Sequence, residues 1–154
     1  MTVSPHCLPA FPTKPSTHSR TRVQEGQRSR QKLHRILVVD DNEDAVFMLE
    51  KILTNFGYAA RSSTSGAQAL EVGAEFEPDA VVLDLGMPGM DGFETARRLR
   101  LEHWGEDVLL IALTGWGQPE DIRRTREAGF QAHLVKPLEL DHLLALLTDP
   151  RGTA

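Results

Sequence analysis

Apolar residues gather in short runs along this chain, and a polar or charged residue closes most of them. Ile36-Leu37-Val38-Val39 runs into Asp40 and Asp41, Ala80-Val81-Val82-Leu83 into Asp84, Val108 to Leu113 into Thr114, and Leu134-Val135 into Lys136. Short apolar runs without alternation are what a strand buried on both faces requires. A weaker strand falls at Ala59 to Ser63. Between the strands the period lengthens. Ala45, Met48, Leu49, Ile52, Leu53 and Phe56 follow an i, i+3, i+4 rhythm and predict a helix with that stripe buried, capped by Asn42 or Asp44 and stopped by Gly57. Further helices are predicted from about Ser65 to Glu75, with Ala67, Leu70 and Ala74 inward, and from Asp91 to about Leu101. Another runs from Glu120 to Ala128, where only Ile122 and Ala128 are clearly apolar, so it should pack weakly. The last places Leu140, Leu143, Leu144 and Leu147 on one face and leaves Leu146 over.

Five strand-helix units predict an α/β fold with a parallel sheet covered on both faces. The second strand, with Arg61, and the fifth, with His133, are the least apolar and suit the edges. That favours a flavodoxin-like, doubly wound five-stranded sheet of order 2-1-3-4-5 over a barrel. In such a sheet ligands bind outside the carboxyl ends of the strands, so Asp40, Asp41, Asp84, Thr114 and Lys136 should converge on one edge. Three carboxylates, a hydroxyl and an ammonium together suit a hard divalent cation and a phosphoryl group.

Charge divides the chain of 154 residues in two. Residues 1–35 hold seven Lys/Arg against the single acid Glu25, while the remainder holds ten basic and twenty-one acidic residues, a net of −11. An acidic domain disfavours DNA or an anionic membrane as its direct partner. The stretch 1–34 is rich in Pro, Ser and Arg without periodicity, and is expected to be a disordered extension ahead of a domain at 35–148 and a short tail at 149–154. Its prolines spoil the amphipathic helix of a transit peptide, and no aromatics interleave its basic residues as in a nucleic-acid-binding arm. The lone Cys7 excludes a disulfide framework or cysteine metal site. With no apolar stretch of spanning length, a cytoplasmic location is expected.

The segments Val-Val-Asp40-Asp41-Asn42, Val-Leu-Asp84-Leu-Gly-Met-Pro88-Gly-Met-Asp91-Gly92, Ala-Leu-Thr114-Gly and Leu-Val-Lys136-Pro137 stand in an order and spacing that resembles the receiver domain of bacterial two-component response regulators, from about Arg35 to Leu147. The surrounding wording is similar to receivers attached to hybrid sensor kinases and to their stand-alone relatives. The resemblance implies that Asp84 is the phosphoacceptor, Asp41 a direct Mg²⁺ ligand, Asp40 a ligand through water and Gly86 a ligand through its backbone carbonyl. Thr114 and Lys136 would contact the phosphoryl group, and Pro137 would be a cis proline. Elementary electrostatics agrees, because crowded carboxylates raise one another's pKa and a divalent cation keeps Asp84 an ionised nucleophile.

One position departs from the family. Three residues before the lysine, where Tyr or Phe usually reports on the threonine, stands His133, which makes Thr114 and His133 the expected switch pair. Trp116, two positions after Thr114, is placed to flank the phosphoryl group; Trp104 reads as packing, and His103 and His142 as solvated. A phosphatase of the haloacid-dehalogenase type would need a second Asp two residues after Asp84, where Gly86 stands, and a scaffold that only binds partners would not need every acid and the lysine. The chain therefore reads as a phosphorylation-controlled signalling module, not an enzyme acting on other substrates. Only seven residues follow Leu147, so output is expected through protein contacts and not a DNA-binding domain. The expected partners are a histidine kinase or histidine phosphotransfer protein and a downstream protein on the last two helices, including Arg123, Arg124 and Leu146, with room for a phosphorylation-dependent homodimer.

Overall fold

The computed structural model describes residues 33–115 and 119–149; the chain divides between Lys32 and Leu33, and every described residue belongs to the second unit. The readings of Cys7, of Trp116 and of the extension up to residue 32 lie outside the described residues. Strands β1 (Arg35–Val39), β2 (Ala59–Ser63), β3 (Ala80–Asp84), β4 (Leu109–Thr114) and β5 (Ala132–Val135) alternate with helices α1 (Glu43–Asn55), α2 (Gly66–Phe76), α3 (Gly92–Leu101), α4 (Pro119–Glu127) and α5 (Leu140–Thr148). All strands pair in parallel, in the order β2-β1-β3-β4-β5. The Arg61 and His133 strands are the edges, as the sequence requires. Among the described residues no helix is long and apolar enough to cross a membrane.

Two apolar layers sandwich the sheet. On one face Val38, Val82, Ile111 and Leu113 meet Val46, Leu49 and Leu53 of α1 and Leu143, Leu146 and Leu147 of α5. On the other, Val39, Leu83, Leu110 and Ala112 meet Ala69 of α2, Ala96 and Leu99 of α3, and Phe130.

Three helices sit rotated from the sequence expectation. On α1 the buried set is Val46, Leu49 and Leu53, while Ala45, Met48 and Phe56 are exposed, the last two by 61% and 57%. The helix carries two overlapping apolar stripes, and the sheet takes the one containing the β-branched Val46. On α5 the set is Leu143, Leu146 and Leu147, so Leu146 is core and not surface. On α2 the inward residues are Gly66, Ala69 and Gly73, with Ala67 and Ala74 exposed. Here glycine is the reason. A Cβ on Gly73 would lie 2.1 Å from Cη2 of Trp104, whose ring, 8% exposed, fills the space a side chain would take.

The far end of the sheet is tied by one side chain. Arg100, in the last turn of α3, donates to the carbonyls of Gly105 (2.8 Å), Val108 (2.7 Å) and Gly129 (2.8 Å) and to Oε1 of Gln131 (3.0 Å), which also accepts from the Leu110 N–H (2.8 Å). The chain entering β4 and the turn leaving α4 are thus stapled to α3.

Gly73→Ala should destabilise the domain by about 1–3 kcal/mol in urea unfolding, because overpacking forces the Trp104 ring or the helix aside. Unchanged stability would mean the indole moves freely and does not set the α2 packing.

Candidate functional site

Strand pleating selects which side of the sheet carries the charges. Val38, Val82 and Leu134 face the α1/α5 layer, so two residues further on Asp40, Asp84 and Lys136 leave the sheet on that same side. The lysine Nζ lies 3.2 Å from Asp40 Oδ2 and 3.3 Å from Asp84 Oδ2, and both carboxylates are buried. Asp41 is exposed at the rim, and one oxygen from each of the three carboxylates falls within 4.8 Å of the others.

Local backbone fixes each group. The Asp40 N–H continues the β1–β2 ladder by donating to the Ser63 carbonyl (3.2 Å), and the Asn42 N–H donates to Asp40 Oδ1 (3.0 Å). Asn42 in turn caps α1, its Oδ1 accepting from the Ala45 N–H. The Gly86 N–H holds Asp84 Oδ1 at 3.1 Å. Behind it Gly92 must lack a side chain, since a Cβ there would stand 2.6 Å from the Asp84 carbonyl oxygen. The Lys136 N–H donates to the Thr114 carbonyl (2.8 Å), which sets the two residues side by side, and the Lys136–Pro137 peptide is cis.

Burial pushes the Asp84 carboxyl above its ordinary pKa and the Asp40 charge adds to this, against the opposing pull of the Gly86 N–H and Lys136. Asp40 is buried too, but the Asn42 N–H and the Lys136 ammonium outweigh that and hold it below its ordinary value. Burial disfavours the charged lysine, yet Asp84 and Asp40 raise it overall, so it stays an ammonium. One cation faces a pocket of three carboxylates, and hard oxygen donors in excess negative charge are what a small divalent cation binds.

The fold thus brings together Asp40, Asp41, Asp84, Gly86 and Lys136 as the sequence places them, with Thr114 buried at the neighbouring strand end. Thr114 follows Ala112 and Leu110 on the opposite, α2/α3 face, and His133, paired with Ala112, shares that face two rungs below it. The His133 Nε2 is buried without a hydrogen bond. Asn42 is a residue whose role at the site the sequence reading missed. Its signal was present, because a helix cap directly after an acid pair must bring its own N–H under the first acid.

The chain belongs to the response regulator receiver domain family, whose model matches residues 36–148. It is 32% identical over 109 residues to sporulation initiation phosphotransferase F of Bacillus subtilis (strain 168), covering 71% of this chain and 86% of that protein. To response regulator MprA of Mycobacterium sp. (strain KMS) it is 39% identical over 111 residues, 72% of this chain, but it spans only about half of that relative, 47%. Among solved structures it resembles the receiver domain of sensor histidine kinase PA1611 from Pseudomonas aeruginosa PAO1, which has a magnesium ion coordinated in its active site cleft, with TM-score 0.67, 30% identity, and coverage of 74% of this chain and 93% of that one.

Asp84 binds its proton more tightly folded than unfolded, so its contribution to stability is full below the unfolded pKa and is lost as pH rises through the raised folded value. In EDTA at neutral pH, Asp84→Asn should therefore melt above the parent chain, and a gain of about 1 kcal/mol corresponds to roughly 4 °C. The advantage should fade as pH falls below the ordinary carboxylate range. A variant that melts at or below the parent at neutral pH contradicts the charge-crowding account.

Proposed function

We propose that this chain is a phosphorylation-dependent signalling receiver that accepts a phosphoryl group from a phosphohistidine onto Asp84, with Mg²⁺, and acts as a stand-alone response regulator in the cytoplasm. The signalling domain is residues 35–148, between an extension at 1–34 and a tail at 149–154. The observation that carries the reading is the position of the Lys136 ammonium, 3.2 and 3.3 Å from two buried carboxylates that cluster with Asp41. An Asp84 oxygen attacks phosphorus; the new O–P bond forms as the N–P bond of the phosphohistidine breaks, and its electron pair returns to the imidazole. Asp40, Asp41, Asp84 and the Gly86 carbonyl would hold Mg²⁺, which supplies charge neutralisation for the phosphoryl oxygens. Lys136 exchanges a carboxylate for a phosphoryl oxygen, and Thr114 offers its hydroxyl to another. The product is an acyl phosphate, which water hydrolyses to reset the domain.

A histidine kinase or histidine phosphotransfer protein is the donor. A groove of about 350 Å³ beside the site, lined by Met48, Leu49, Ile52, Lys136, Pro137 and Leu138, suits an apolar helix face that carries the phosphohistidine to Asp84. The second stripe of α1, exposed at Met48 and Phe56, supports that use. Output runs through protein contacts on α4 and α5, with Arg123 and Arg124 but without the buried Leu146. Thr114 and His133 form the switch, the histidine ring taking up space that the threonine leaves.

Acetyl phosphate with Mg²⁺ should label the protein at one acid-labile carboxylate, and Asp84→Asn should abolish the label. A phosphoryl group mapped by mass spectrometry to Thr114, Ser63 or a histidine would refute the assignment.

A further inference from the structure

Basic residues are unevenly distributed over this acidic domain. Six of the ten Lys/Arg beyond residue 35 lie on α3 and α4 (Arg97, Arg98, Arg100, Arg123, Arg124, Arg126), against four acids there (Glu94, Glu120, Asp121, Glu127). The rest of the chain beyond residue 35 has four basic and seventeen acidic residues.

The two helices touch where Arg124 meets Phe93. Phe93, Arg97 and Leu101 follow each other at i, i+4 and i+8 on α3. From α4 the Arg124 guanidinium lies over the Phe93 ring, 4.4 Å from its centroid, while the ring stands edge-on to Phe130 with centroids 6.5 Å apart. Leu101 is 87% exposed, the most exposed large hydrophobic among the described residues. Among the described residues Arg97 pairs at 3.3 Å with Glu94 on its own helix alone, with its side chain 63% exposed, a contact that an incoming carboxylate readily replaces. Arg100 does not take part, because its fork is consumed in stapling α3 to the turn after α4, which holds the two helices in place.

We propose that the α3–α4 face is a docking surface for an acidic amphipathic helix of a partner protein, which sets apolar residues on Leu101 and Phe93 and carboxylates on Arg97 and Arg124. Charge complementarity selects this occupant. A guanidinium already fixed over a ring loses little freedom on pairing with a carboxylate. A nucleic acid carries its charge along its whole length and would meet the surrounding acidic surface, whereas a single helix touches only this face. The inference rests on the proposed output through protein contacts and extends its face from α4–α5 across Arg124 onto α3.

The test uses the full chain, labelled with ¹⁵N, and a synthetic sixteen-residue Leu/Glu amphipathic peptide. Amide shifts should change at Phe93, Arg97, Leu101 and Arg124, and affinity should fall as salt rises. The double variant Arg97→Gln/Arg124→Gln should bind about ten-fold more weakly, with Leu101→Ala intermediate, while acetyl phosphate labels Asp84 at the parent rate. Labelling and peptide binding are read separately, so failure of the phosphoacceptor shows as lost label with peptide binding intact. Shifts confined to the basic residues before Ile36 or to α1, equal binding of a Leu/Lys peptide, displacement of the peptide from these arginines by duplex DNA, or a double variant that binds like the parent would each overturn the proposal.

Discussion

Everything at the working edge of this domain answers to one electrostatic constraint: two buried carboxylates share a single ammonium. Asp40 and Asp84 reach the same side of the sheet because the pleat puts residues two apart on one face, and Lys136 lies between them at 3.2 and 3.3 Å. The lysine cannot satisfy both in full, so one carboxyl is held below its ordinary pKa and the other above it. Asp41 at the rim adds a third negative group. A site of this kind is underneutralised by construction. It attracts further positive charge and, once that charge is present, tolerates the oxygens of a phosphoryl group.

The same constraint explains what was legible in the sequence. Strand ends are punctuated by Asp40, Asp84, Thr114 and Lys136, and sheet topology alone brings strand ends together, so the site could be read without any knowledge of side-chain packing. Helix orientation could not. On α1 two apolar stripes overlap, and only the shape of the layer made by Ile36, Val38 and Leu143 selects the Val46 stripe. On α2 the inward face is made of Gly66 and Gly73, whose value lies in what they leave empty for Thr95 and Trp104, and a hydrophobicity pattern carries no mark of that. The Arg100 fork was hidden for a related reason. An arginine in the last turn of a helix reads as a surface charge, and of its five acceptors three carbonyls follow closely in the chain while those of Gly129 and Gln131 come from a turn about thirty residues on.

The arrangement also separates a fixed end from an adjustable one. At the amino end of β4, Arg100 and Gln131 bind α3, the strand entry and the turn after α4 into one unit. At the carboxyl end Thr114 closes β4, and among the described side chains of α4 only Thr125 is fully buried. On the proposed reading, a change in the position of Thr114 would act on α4 while the turn after that helix stays tied by Arg100. The apolar stripe on α1, by contrast, flanks the site without passing through the threonine. On that reading charge enters beside α1 and its consequence leaves by way of α4.

The claim that Lys136 and an external cation compete for the same two carboxylates is open to direct measurement. Lys136→Met keeps the length of the side chain and removes its charge, and Mg²⁺ affinity can be followed by calorimetric titration in parent and variant at one ionic strength. Loss of the competing ammonium should tighten Mg²⁺ binding by about three-fold or more, the scale of a half-exposed ion pair. Unchanged or weaker Mg²⁺ binding in Lys136→Met would contradict the account, since it would mean that the lysine does not hold the charge of Asp40 and Asp84 in the resting domain.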